Sequence, residues 1–119
     1  EVRDAGDSGI FLRGSQKSEV NIWCWAIGSG EVHGYREDAA QTPEVRARST
    51  PKTRADNPPG QWNRFVITLK GDVLTVVLNG QVVIEEVRLP GLPPRGPIGL
   101  QDYGEPIQFA NIYIKELDH

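Results

Sequence analysis

Residues 18–25 alternate two kinds of side chain: Glu19, Asn21, Trp23 and Trp25 with Val20, Ile22 and Cys24 between them. On an extended chain successive side chains point to opposite faces. One face is then apolar, and the other carries a carboxylate, an amide and two indoles in a row. That row suits a sugar, whose C–H faces stack on aromatic rings while carboxylate and amide groups take its hydroxyls. The competing reading packs both indoles between two sheets. After the turn residues Gly28, Ser29 and Gly30 come Glu31, His33 and Tyr35, which share a face if the segment is extended. All three types are competent general acids or bases. Phe11 and Arg13 share a face of the preceding segment, and Arg13 offers a guanidinium to an oxyanion or a hydroxyl. Gln101, Asp102 and Tyr103 leave a strand end at Gly104, a common place for site residues, although turn chemistry alone accounts for an Asp there.

The elements that must position these residues read as strands. Residues 9–13, 18–25, 62–70, 73–78, 81–87, 97–101 and 107–117 have strand character, with Phe65, Ile67 and Leu69 on one face of their segment. Asn79-Gly80 lies between two apolar runs, and both residues tolerate the positive φ of a type I′ hairpin. Gly71-Asp72 marks another turn, and a bulge near Ala110-Asn111 reconciles the phases of Ile107 and Ile112. No stretch has helical periodicity, and residues 37–60 read as one long polar, Pro-rich loop.

Composition agrees with an all-β chain. A single domain is expected of 119 residues, and 13 glycines and 9 prolines supply turns rather than helices. The net charge of −3, with both signs interspersed, leaves no basic stripe for nucleic acid. No apolar run is long enough to span a membrane. A lone cysteine, Cys24, rules out an internal disulfide. Only two histidines are present, which excludes a His-rich zinc site, while a hard cation such as calcium remains compatible with Glu19, Glu31 and Asp102. Phosphate-binding and dinucleotide-binding loops and serine-hydrolase elbows are absent, and no organic cofactor is expected.

Together the strings SGIFLRG (8–14), EVNIW (19–23), GEVHGY (30–35), GQWNRFVITLKGDVLTVVLNG (60–80), GPIGLQDYG (96–104) and FANIYIKEL (109–117) resemble the 3-keto-disaccharide hydrolase domain family. The resemblance covers nearly the whole chain. It implies a two-sheet antiparallel jelly-roll β-sandwich of the concanavalin A-like kind. It also implies cleavage of glycosides already oxidised at C3, and export by bacteria to the periplasm or the extracellular space. Two positions depart from the family pattern: Tyr103 stands where a histidine usually follows, and Ala110 where an arginine does. The family domain has further strands before residue 8. On that comparison another segment or another chain is expected to complete the sheets.

In that chemistry a ketone at C3 acidifies the C2–H bond, a base removes the proton, and the substituent on C1 leaves. Glu19 or Glu31 is the expected base, and Arg13 or His33 the expected stabiliser of the enolate. Asn21, Trp23, Tyr35, Gln101, Asp102 and Tyr103 are the expected substrate contacts. A non-catalytic carbohydrate-binding module, or a protein-interaction module on the same scaffold, is the alternative, since fold alone does not decide function.

Overall fold

The computed structural model describes residues 7–23, 28–58, 61–100, 112 and 114. Its first hairpin pairs β1 (Asp7–Leu12) with β2 (Ser15–Trp23) around Arg13-Gly14. Both turn residues have positive φ, 52° and 67°, the combination that matches the twist of a two-residue hairpin. Arg13 therefore leaves the strand instead of continuing the face of Phe11, and β2 starts three residues earlier than alternation alone suggests. A short strand, β6 (Gly99–Leu100), pairs with the other side of β1 at Ile10 and Phe11. The first sheet runs β2-β1-β6, so β1 has a partner from its own chain on each side.

The second sheet is a meander of β3 (Phe65–Lys70), β4 (Val73–Leu78) and β5 (Gln81–Arg88). Gly71, at φ 62°, turns β3 into β4. Asn79 and Gly80, at φ 51° and 82°, turn β4 into β5 as their dipeptide predicts. The Asn79 side chain also fastens the loop before β3. Its Nδ2 donates to the Ala55 carbonyl and to Asn63 Oδ1, each at 2.8 Å, while its Oδ1 accepts from the Arg64 amide at 2.9 Å. In β5 alternation breaks. Val77 faces Val82 and Val76 faces Ile84, so Val83 is an inserted residue and both Val83 and Ile84 turn inward. A second shift follows before Val87, with Glu86 at φ 43°.

The two antiparallel sheets share one core, and the chain is all-β in class. Leu12 and Val20 of the first sheet pack with Leu74, Val76, Leu78, Val83, Ile84 and Val87 of the second, with Val32, Tyr35 and Leu89 joining from the connections. Each fully buried aliphatic side chain contributes about 1.5–3 kcal/mol. The alternation read in β3 holds: Phe65, Ile67 and Leu69 lean on this core, and Val66, Thr68 and Lys70 face out.

Two short helices depart from the strand-and-loop reading. Residues 33–36 form one turn, α1 (His33–Arg36), and residues 37–60 contain α2 (Pro43–Arg48). The latter has an N-terminal signal in its sequence: Thr42 Oγ1 accepts from the Val45 amide at 3.2 Å, proline holds the first helical position, and Glu44 follows. No helix occurs after Arg48 among the described residues, and none of the described helices is long and apolar enough to cross a membrane. The expected strand 107–117 and its bulge lie outside the described residues, except Ile112 and Ile114, which are exposed.

Candidate functional site

Both faces of β2 are buried. Val20 and Ile22 lie on the core side, and Glu19 and Asn21 on the other, as alternation requires. The β1–β2 register sets Gly9 beside Asn21 and Phe11 beside Glu19 on that second face. A side chain at residue 9 would collide with Glu19: a Cβ there would fall on Oε2 and lie 2.6 Å from Cγ. Glycine thus leaves room for the Glu19 carboxylate to lie across β1.

The edge of β2 away from β1 carries the rest of the site. Asn21 N–H donates to the Glu31 carbonyl, and Gly30 N–H donates to the Asn21 carbonyl, both at 2.8 Å. Val32 bridges to Val20, so residues 30–32 run alongside β2 like a further strand, with Val32 in the core and Glu31 on the Asn21 side. The chain then winds into α1. This turn lies against the β2 backbone because residue 34 is glycine: a Cβ there would fall on the Lys17 carbonyl oxygen and lie 2.5 Å from Lys17 Cα. Strand-like pairing followed by a single helical turn replaces the extended 31–35 segment expected from the sequence.

Glu31 is the centre of this arrangement. Its side chain is fully buried, at 0% exposure. Oε1 lies 3.1 Å from His33 Nδ1 and 3.5 Å from Asn21 Nδ2, at the outer limit of a hydrogen bond. Oε2 accepts from Arg36 Nη1 at 2.6 Å, and the same nitrogen donates to Glu37 Oε1 at 2.8 Å. One carboxylate thus holds an imidazole at one oxygen and a guanidinium at the other. A buried carboxylate against Nδ1 fixes the histidine tautomer and the orientation of the ring. The His33 side chain is 46% exposed, so this ring connects the buried Glu31 to the surface.

Glu31, His33 and Glu37 also offer one ligand atom each within 4.8 Å of one another. The set includes an imidazole nitrogen, unlike the all-oxygen shell that calcium takes. Arg36 Nη1 lies between its two carboxylates and supplies a positive charge there.

The other expected site residues are dispersed. Tyr35 turns into the core at 1% exposure, where its hydroxyl donates to the Pro90 carbonyl at 2.8 Å. Burial first, then the charges of Asp72 and Asp38, pushes its phenol above the ordinary tyrosine value. Lys17 Nζ sits 4.8 Å from the centre of the Tyr35 ring and donates to Asp38 Oδ2 at 2.7 Å. Arg13 stands at the tip of the first hairpin, where its Nη1 donates to the Pro93 carbonyl at 3.2 Å. The Trp23 backbone ends β2, but its side chain lies outside the described residues, as do Trp25, Gln101, Asp102 and Tyr103. Arg36 and Glu37 were not expected at the site. Their signal is the spacing Glu31-x-His33-x-x-Arg36, which brings the three side chains together only when residues 33–36 are helical.

The family model for the 3-keto-alpha-glucoside-1,2-lyase-like domain matches residues 1–115. The chain belongs to that family. In this 3-keto-alpha-glucoside-1,2-lyase-like domain, the cluster around Glu31 is made by the GEVHGY segment and the arginine that follows it. No curated protein and no solved structure matches the chain significantly.

Proposed function

We propose that the protein cleaves 3-keto-glycosides by removing the C2 proton of the oxidised sugar, with His33 as the base and Glu31 as the group that orients it. The observation that carries this reading is the buried Glu31 carboxylate at 3.1 Å from Nδ1 of the half-exposed His33. Glu31, with no exposed surface, acts through His33 instead of touching the substrate.

His33 takes the proton from C2, and the C–H electron pair becomes the C2=C3 bond of an enolate. The carbonyl pair moves to the C3 oxygen. When the carbonyl re-forms, a C1=C2 bond appears and the C1–O bond breaks. The aglycone departs as an alcohol with a proton returned by the imidazolium, and water adds across C1=C2 to complete a hydrolysis. A buried carboxylate beside the ring stabilises the imidazolium formed in the first step. Glu19 and Asn21, buried on the adjoining face of β2, back the cluster, with Asn21 Nδ2 3.5 Å from Glu31 Oε1. A module that only binds carbohydrate has no need for a histidine held by a buried carboxylate.

The test is turnover of an aryl 3-keto-glucoside, together with incorporation of solvent deuterium at C2. His33→Ala is expected to lower kcat by about 10²–10⁴, the range for losing a general base. Wild-type protein that neither releases the aglycone nor exchanges C2–H overturns the reading, as does a His33→Ala variant with unchanged rates.

A further inference from the structure

We propose that Arg36 is a second catalytic residue, holding the C3 oxygen of the substrate and the enolate that forms there. The proposal rests on the reading above, because it names the group that receives the negative charge released when C2 is deprotonated.

Three observations lead to it. Arg36 is anchored through one nitrogen only: Nη1 reaches Glu31 Oε2 at 2.6 Å and Glu37 Oε1 at 2.8 Å. Among the described residues, Nη2 and Nε make no hydrogen bond, and the side chain is 32% exposed. The planar guanidinium therefore keeps three N–H donors in a fixed direction, already oriented before any ligand arrives. Second, Arg36 and His33 hold opposite oxygens of the same carboxylate. A base and an oxyanion donor fixed to one rigid group suit a reaction in which the proton and the developing charge are on adjacent carbons. Third, Arg13, the other arginine considered for this role, is at the hairpin tip and directed to Pro93.

Three variants assayed on an aryl 3-keto-glucoside test the proposal. Arg36→Ala is expected to lower kcat by about 10²–10³ with KM changed only a few-fold, the signature of a contact made in the transition state. Arg36→Lys separates catalysis from anchoring. Its single ammonium can still bridge Glu31 and Glu37, but its one remaining N–H sits on the anchored nitrogen itself and lacks the outward reach of Nη2 and Nε, so its rate should stay within tenfold of Arg36→Ala while its melting temperature returns toward wild type. Millimolar guanidinium should accelerate Arg36→Ala and leave His33→Ala unchanged. An Arg36→Lys variant at the wild-type rate shows that Arg36 only positions Glu31, and overturns the proposal. So does an Arg36→Ala variant that retains wild-type kcat. Wild-type protein inactive on the 3-keto-glucoside overturns the functional reading itself, which separates the two failures.

Discussion

Replacing Gly34 by alanine adds one methyl group where β2 already is. The new Cβ would fall on the Lys17 carbonyl oxygen and lie 2.5 Å from Lys17 Cα and 2.8 Å from its carbonyl carbon. Carbon–carbon contacts settle at about 3.5 Å, so α1 must withdraw from the strand by about 1 Å. Both obstructing groups are backbone, and neither can turn aside as a side chain would. Overpacking of this kind costs about 1–3 kcal/mol. At about 4 °C per kcal/mol for a domain of this length, Tm should fall by about 4–12 °C. The larger effect is expected on activity, because His33 and Arg36 flank Gly34 on the turn that moves. A displacement of 1 Å at reacting groups costs about 10²-fold. The assay is a thermal melt paired with turnover of the 3-keto-glucoside. A Gly34→Ala protein with wild-type Tm and wild-type rate would refute both the contact between α1 and β2 and the role of α1 in catalysis.

Glu31→Gln retains the shape but removes the negative charge from a buried site contacted by His33 and Arg36; because Arg36 is a third exposed and recovers water, the expected loss is about 1–3 kcal/mol, read from the urea midpoint, and an unchanged midpoint would contradict the ion pair. Tyr35→Phe leaves the Pro90 carbonyl without its donor and should cost about 1 kcal/mol in the same experiment without changing KM, whereas a large rise in KM would return Tyr35 to the substrate site. Asp38 is held at about 2 by hydrogen bonds from Lys17, the Ala40 amide and Gln41, below an unfolded value of about 3.9. Its contribution to stability is therefore present above pH 4 and is lost as pH falls through 2. The stability gap between wild type and Asp38→Asn should close over that interval, and a gap independent of pH would show that Asp38 is not so held.

β3 and β4 were legible because their burial follows a period of two, and Asn79-Gly80 because few other dipeptides accept positive φ twice. Arg13-Gly14 makes the same kind of turn with a residue that does not advertise it, so Arg13 read as a strand residue. The bulge at Val83 escaped notice because valine and isoleucine in succession fit a strand in either register; only the partner strand shows that both turn inward. Thr42-Pro43-Glu44 carries the chemistry of a helix start, but a helix of six residues gives too few turns for periodicity to register. In the cluster around Glu31, both Glu31 and His33 were singled out from side-chain chemistry alone. Their relation was not, since an extended 31–35 segment would align Glu31 with Tyr35 and exclude Arg36. The close approach of Gly34 to Lys17, between residues 17 positions apart, lets that segment lie against β2 as a helical turn, in which Arg36 reaches Glu31.

The Asn79-Gly80 turn also sets how the protein ages. An asparagine followed by glycine is the sequence most exposed to cyclisation, in which the glycine nitrogen attacks the side-chain carbonyl carbon, ammonia is expelled, and the ring opens to aspartate or isoaspartate. Here the group that would leave is the Nδ2 that donates to Ala55 and Asn63. While the hairpin is folded, those bonds hold the amide at 2.8 Å from each acceptor and oppose the rotation that the attack requires. Once the change occurs it does not reverse: a carboxylate would then face two oxygen acceptors, and the loop before β3 would lose its fastening. Each transient opening of this hairpin therefore exposes the molecule to irreversible damage, and its working lifetime depends on how rarely that opening happens.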